Sequence, residues 1–258
     1  MTSVDAERFT YDWPTNWSES SLGARSGALF TVEGLWGAGK STTAKRLAAL
    51  LEAEGFTVAL VHYGPRVGVI DLLSTWLTHE PLRRRSGTGG YDKPHHATVD
   101  VFLRLCREAY HHTHTYRAAM QTHDVVILDH GVYSKLAYCL AVLAEQHPHR
   151  TYAELLLQLH GVVESWFLVP DQAFYLDIPW PLARERTILR GYGSGAPQSV
   201  ERLLFLPAYD RAHRFVARAI PERITRLRPG TDDLESVAQH LKGLVLSHLT
   251  PPATNGVS

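Results

Sequence analysis

Five short stretches of the chain are apolar nearly throughout: residues 28–33, 57–62 (Thr-Val-Ala-Leu-Val-His), 124–129 (Asp-Val-Val-Ile-Leu-Asp), 172–177 (Gln-Ala-Phe-Tyr-Leu-Asp) and 223–227. Runs of this kind, without polar alternation, suit strands buried on both faces of a parallel sheet. Between them, apolar residues recur at helical spacing near 40–54, 66–79, 97–122, 133–146, 151–168, 180–190, 199–219 and 233–248. The alternation predicts an α/β fold, a doubly wound parallel five-stranded sheet flanked by helices. Ligands of such sheets lie beyond the carboxyl ends of the strands, so the residues just after each apolar run are where chemistry is expected.

Two segments break the pattern. Residues 80–96 are polar and glycine-containing and predict a mobile loop, in which Arg83-Arg84-Arg85 either gathers an anionic substrate or is simply exposed. Residues 191–198 (Gly-Tyr-Gly-Ser-Gly-Ala-Pro-Gln) follow an arginine-bearing helix and predict a flexible flap; with that helix they form a short Arg/Gly lid at about 184–198. Residues 1–26 carry Asp5, Glu7, Asp12 and Glu19 and no apolar segment. They predict a mobile arm rather than a secretory leader, with Trp13 and Trp17 as tethers. Residues 251–258 predict a frayed tail, which leaves 27–250 as the folded domain.

Composition narrows the function classes. The 258 residues are 45% hydrophobic and 20% charged, with a formal net charge of +0. That balance is ordinary for a globular protein and points to neither nucleic acid nor an anionic membrane. No apolar run approaches the roughly 18 residues of a membrane span. Two cysteines, Cys106 and Cys139, make no disulfide framework, so a reducing cytoplasm is the expected compartment. His111, His112 and His114 crowd one predicted helix, with His95 and His96 upstream; no carboxylate or cysteine completes a metal site, so solvated histidines are expected.

The chemistry is concentrated in Gly34 to Thr42, Gly-Leu-Trp-Gly-Ala-Gly-Lys-Ser-Thr, which fits the phosphate-binding pattern G-x-x-x-x-G-K-[ST]. An apolar run precedes it and a helical run follows, as the motif requires. Gly34, Gly37 and Gly39 let the backbone turn its amides, with those of Ala38 and Thr42, toward phosphate oxygens, and the helix N-terminus adds partial positive charge. Lys40 is expected to reach the β- and γ-phosphates of ATP, and Ser41 to ligate Mg²⁺. Asp129, at the tip of the third apolar run, is placed for the same ion; a helix N-cap is the plainer alternative. After the fourth run come Arg184, Arg186 and Arg190. Arg186 and Arg190 share a helix face, which suits guanidinium groups closing over a phosphate in the transition state, whereas Arg184 is as well explained as part of a solvated face.

These residues resemble the thymidylate kinase and deoxynucleoside kinase group of P-loop kinases over roughly residues 27–250. Phe30-Thr31-Val32-Glu33-Gly34 with Gly39-Lys40-Ser41-Thr42 is similar to the thymidylate kinase opening F-x-x-E-G-x-D-G-x-G-K-S-T. Asp129, Ser134, Ala137 and Tyr138 resemble its D-R-Y-x-x-S-x-x-A-Y, while Val132-Tyr133-Ser134 equally resembles the deoxynucleoside kinase E-R-S-V-Y-S. Gly37 stands where some members keep an arginine; members without it carry the arginine in the lid. The resemblance implies a P-loop NTPase fold, ATP and Mg²⁺ as cofactors, a small-molecule phosphoryl acceptor and a homodimer. It also implies acceptor contacts from Arg107, which stands 22 residues before Asp129, and from Tyr138.

The departures lie on the acceptor side. Trp36 replaces the loop aspartate, and His130 replaces the arginine after Asp129. Tyr63-Gly64-Pro65-Arg66 replaces E-P-G-G. Leu103, beside Phe102, stands where an aromatic is expected four residues before Arg107. Trp36, Arg66, Phe102, Arg107, His130 and Tyr138 are therefore expected to shape the acceptor pocket. A phosphate acceptor needs no base; a hydroxyl acceptor would draw on Asp129, His130 or an inward-pointing Glu33. Three functions remain open: a nucleoside or nucleotide kinase, a kinase of some other specialised metabolite or antibiotic, and a nucleotide-binding protein without turnover.

Overall fold

The computed structural model describes residues 27–62, 68, 83–84, 91–92, 97–193, 200–230 and 233–249. Five strands form one all-parallel sheet: β1 (Ala28–Gly34), β2 (Val58–Val61), β5 (Val125–Asp129), β6 (Gln172–Leu176) and β7 (Ile224–Leu227), in the order β2-β5-β1-β6-β7. β1 lies in the middle, in register with β5 (Thr31 opposite Leu128) and β6 (Thr31 opposite Ala173). The chain order thus reverses at β1, and a crevice opens beyond its carboxyl end. A separate two-stranded ribbon pairs β3 (Arg83–Arg84) with β4 (Tyr91–Asp92), inside the segment expected to be loop.

The helices are α1 (Lys40–Ala53), α2 (Ala97–Tyr110), α3 (Arg117–Thr122), α4 (Val132–Gln146), α5 (Tyr152–Trp166), α6 (Trp180–Gly193), α7 (Val200–Ala219) and α8 (Leu234–Leu249). All five predicted strands are present, as are the predicted helices that fall within the described residues. The helix expected at 66–79 lies outside them, as do the arm 1–26, the tail 251–258, most of the loop 80–96 and residues 194–199 of the flap. Among the described residues no helix is long and apolar enough to cross a membrane.

Side-chain alternation along the strands explains why both sheet faces are covered. Phe30, Val32, Val125 and Ile127 enter the main core, where Phe30 stacks on Phe174 at 6.0 Å. Leu29, Val126 and Leu128 face the other way, onto Tyr116, Met120 and Leu168.

Three local features differ from the sequence expectation. The predicted helix 97–122 carries a π-helical turn, His111–Tyr116, between α2 and α3. That turn rotates His111 and His112 into the interior, so these two are buried rather than solvated, while His114 stays exposed. His112 stacks on Phe167 at 4.6 Å and its Nδ1 accepts the Leu168 amide at 2.8 Å; burial pushes its pKa down to about 3. At the lid, α6 continues through Gly191 to Gly193, so the first residues of the expected flap are helical. α5 starts where Thr151 and Glu154 exchange hydrogen bonds in a capping box.

Candidate active site

The phosphate loop leaves β1 through Gly34 (φ +140) and turns at Gly37 (φ +83) and Gly39 (φ +94) into α1. These left-handed angles are open to glycine and strained for other residues. Gly39 N-caps α1 without a side-chain cap, leaving the first helical amides to an anion. Lys40 is buried and its Nζ donates to the Leu35 carbonyl at 2.8 Å. Burial pushes its pKa down to about 8, with the nearby carboxylates of Asp129 and Glu33 opposing and the charge of Arg190 assisting. An ammonium held dry beside an anion-binding loop is poised for a phosphate oxygen.

Asp129 closes β5 beside the tip of β2. Its Oδ2 accepts from His62 Nδ1 at 2.6 Å, while Oδ1 is buried without a hydrogen-bond partner. Burial alone would raise this carboxyl. Hydrogen bonds from His62 and Ser41 and the charge of Lys40 overcome that and hold it below the usual carboxylate range. An ionised aspartate with one orphaned oxygen, hydrogen-bonded to the loop serine, is a hard oxygen pair that fits Mg²⁺.

Glu33 is turned away from this centre. Its Oε2 accepts the Ser134 amide at 2.9 Å, and its Oε1 accepts the Thr31 hydroxyl at 2.7 Å and the Tyr133 amide at 3.4 Å. Ser134 Oγ in turn accepts the Gly34 amide at 3.2 Å. The carboxylate thus neutralises the N-terminus of α4 and ties it to the loop strand. His130 takes φ +80, its amide donating to Val32 O at 3.1 Å. Burial, then the charges of Lys40 and Lys135, push its pKa well below the ordinary imidazole value, so the ring is neutral.

Across the loop, Arg186 and Arg190 are exposed on α6, and Arg184 lies over the Trp180 ring at 5.0 Å. Asp177, beyond β6, is buried and accepts from Arg226 Nε at 2.6 Å and Arg228 Nε at 3.3 Å. That binds the end of β7 to the β6 side of the crevice.

On the side where the acceptor is expected, Trp36 leaves the loop to meet Tyr209 (5.0 Å), Phe205 (6.1 Å) and Tyr138 (6.2 Å). Arg202 lies over the indole at 5.1 Å. Arg104 lies over the Tyr138 ring at 4.4 Å and its Nε donates to Asp100 at 3.0 Å. Arg107 instead donates to Glu108 at 3.2 Å, and Glu108 is buried against Lys135. The structure therefore brings Trp36 and Tyr138 together and puts Arg104, one turn from Arg107, beside them. Phe102 is 59% exposed on α2, apart from the cluster. Arg66 lies outside the described residues.

Sequence reasoning did not single out His62, Asp100, Arg104, Phe205 or Tyr209. Asp100 and Arg104, like Phe205 and Tyr209, are four apart on a helix, a spacing that marks a shared face but not what it faces.

No family model matches the chain. It is 28% identical over 220 residues to the thymidylate kinase of Solidesulfovibrio magneticus, covering 83% of this chain and 97% of that one. Identity to the thymidylate kinase of Gluconobacter oxydans is 29% over 233 residues, covering 88% and 98%. The probable thymidylate kinase of Methanospirillum hungatei is 31% identical over 167 residues, 64% of this chain and 70% of that one. With the glycine-rich loop at the centre of an all-parallel sheet, these relationships mean that the chain belongs to the thymidylate kinase family, as a nucleotide kinase-like phosphotransferase of the P-loop fold.

Proposed function

We propose that the protein is a Mg²⁺-dependent kinase that transfers the γ-phosphoryl group of ATP to a nucleotide, nucleoside or related small sugar-containing acceptor. The observation that carries this reading is the convergence of buried Lys40, Ser41 and the orphaned Asp129 Oδ1 at the loop that begins α1. The loop amides and Lys40 bind the β- and γ-phosphates. Ser41 and Asp129 hold Mg²⁺, which when bound neutralises charge on the phosphate oxygens. Arg186 and Arg190 reach from α6 toward the phosphate being transferred, where guanidinium groups stabilise transition-state charge. Trp36, Tyr138, Arg104 and His130 face the acceptor; Phe102, Arg107 and Arg66 remain part of the same proposal.

ATP consumption by the purified protein, measured against dTMP, other nucleoside monophosphates, nucleosides and simple alcohols, tests this reading. Turnover of at least one sugar-bearing acceptor, lost in Lys40→Ala, is expected. Full activity of Lys40→Ala would sink it.

The packed ring cluster around Trp36 favours one second reading, a kinase of another ring-bearing metabolite on the same fold. Robust dTMP turnover in the same panel would remove it.

A further inference from the structure

Gly37 is the point where the phosphate loop touches the lid helix. A Cβ there would lie 2.1 Å from the Ala183 carbonyl oxygen and 2.5 Å from Thr187 Oγ1, both on α6. By contrast, a Cβ on Gly39 would meet nothing within 4 Å. The loop is thus pressed against α6 at Gly37, directly against the Ala183 backbone and the Thr187 side chain.

Ala183 and Thr187 are buried, in a helix whose neighbouring arginines are exposed. The Thr187 hydroxyl donates to the Ala183 carbonyl at 2.7 Å, so its polar group is satisfied within α6 while its oxygen faces the loop. Ala183, Thr187 and Arg190 follow the i, i+4, i+7 rule, so they form one stripe along the helix. Arg190 is also near enough for its charge to bear on the Lys40 ammonium. The contact that seats α6 on the loop and the guanidinium that overlooks it therefore lie on the same face.

We propose that Thr187 is a positioning residue: seated on Gly37, it registers the lid helix against the phosphate loop and holds Arg190 over the transferred phosphate. The proposal rests on the role given above to Arg190. Any side chain at 37 would lift α6 and carry Arg190 away from the phosphates, whereas glycine lets the helix close.

The test compares Thr187→Leu, which wedges the contact open, with Thr187→Ser, which keeps the hydroxyl and the small volume. Thr187→Leu is expected to lower kcat roughly tenfold to a hundredfold through misplacement of one catalytic group. The ATP dissociation constant stays within about threefold, and Thr187→Ser retains activity. If Thr187 acts through Arg190, Thr187→Leu costs nothing further in an Arg190→Ala background. A full additive loss there, or ATP affinity falling in step with kcat, overturns the proposal.

Hydrogen exchange supplies a readout that needs no acceptor. A non-hydrolysable ATP analogue is expected to slow amide exchange in 184–190 of the wild type and Thr187→Ser but not of Thr187→Leu, while residues 34–41 stay protected in all three. Equal protection of 184–190 in Thr187→Leu overturns the coupling. An Arg190→Ala enzyme of unchanged kcat would instead remove the catalytic role of Arg190, a separate failure. Should Thr187→Leu not fold, Thr187→Ala, which leaves a gap at the same contact, carries the same expectations.

Discussion

The two walls of the crevice are built on different principles. The wall proposed for the donor is backbone: a glycine-rich turn, the first amides of α1, and two side chains, Lys40 at the start of α1 and Asp129 at the end of β5. The acceptor wall is side chain. Trp36 comes from the loop, Arg104 from α2, Tyr138 from α4, and Phe205 and Tyr209 from α7. Backbone geometry set by sheet topology tolerates little change, because shifting the loop shifts the central strand. A wall assembled from side chains of four elements can be rewritten residue by residue without touching the sheet. A single fold can therefore keep its phosphate donor and change its acceptor.

The largest expected effect tests the donor wall. Lys40→Ala should lower transfer by at least about a thousandfold, the scale for removing a preorganised cation from developing phosphate charge. Its melting temperature without nucleotide should not fall. A lysine whose pKa is pushed down to about 8 by burial is a charge the ligand-free fold holds at a cost. A lower melting temperature with near-normal transfer would reverse the assignment and make Lys40 structural.

Beneath the acceptor wall, Glu108 is expected to matter for stability rather than for ATP. It is buried between Lys135 and Arg107. Glu108→Ala leaves a buried ammonium without its carboxylate and should cost about 3–5 kcal/mol in denaturant unfolding. The pair has a pH signature. Burial opposes ionisation of Glu108, but Lys135 and Arg107 outweigh it and bring its pKa from 4.5 to about 2. The native state thus binds fewer protons than the unfolded state between those values. The stabilisation is full above pH 4.5, is lost as pH falls through about 2, and amounts to about 3 kcal/mol. Unfolding curves of the wild type and Glu108→Gln should converge over that range; a constant gap would mean that Glu108 does not titrate with the fold.

The donor wall was legible in the sequence because its determinants are contiguous. Apolar runs fixed the strands, and Gly34 to Thr42 carried its own spacing. The position of Asp129 in the crevice could be read because it ends a strand. The acceptor wall needs contacts between α2, α4 and α7 that no local pattern encodes. The family resemblance implies an acceptor contact from Arg107, yet the helix turns its guanidinium to Glu108 and presents Arg104 to Tyr138. The π-helical turn at His111–Tyr116 adds to this, since an extra residue in one turn rotates everything upstream relative to Asp129. Glu33 was open as a base only if its side chain pointed inward, and the α4 amides claim it instead.

A smaller effect sharpens the choice between the two arginines. Arg104→Ala should raise KM for the acceptor roughly tenfold, about 1.4 kcal/mol, through loss of the cation over Tyr138 and release of Asp100. The dissociation constant for ATP should not move. Arg107→Ala should change acceptor KM by less than about threefold while lowering stability, because its guanidinium is spent on Glu108. The reverse ranking would mean that an acceptor draws Arg107 out of its ion pair and into the pocket.

The smallest expected effect probes where the two walls meet, at Trp36. Trp36→Phe keeps an aromatic ring against Tyr209 but removes part of its area and the indole face under Arg202. A loss of about 0.5–1 kcal/mol is expected, a twofold to fivefold rise in acceptor KM. Because Trp36 belongs to the phosphate loop, its effect on ATP decides how separate the walls are. If the loop backbone alone shapes the donor site, titrating ATP against Trp36→Phe gives the wild-type dissociation constant. If ATP affinity weakens as much as acceptor affinity, the indole braces the loop through Tyr209 and α7. Acceptor changes at this position would then always be felt at the donor phosphates.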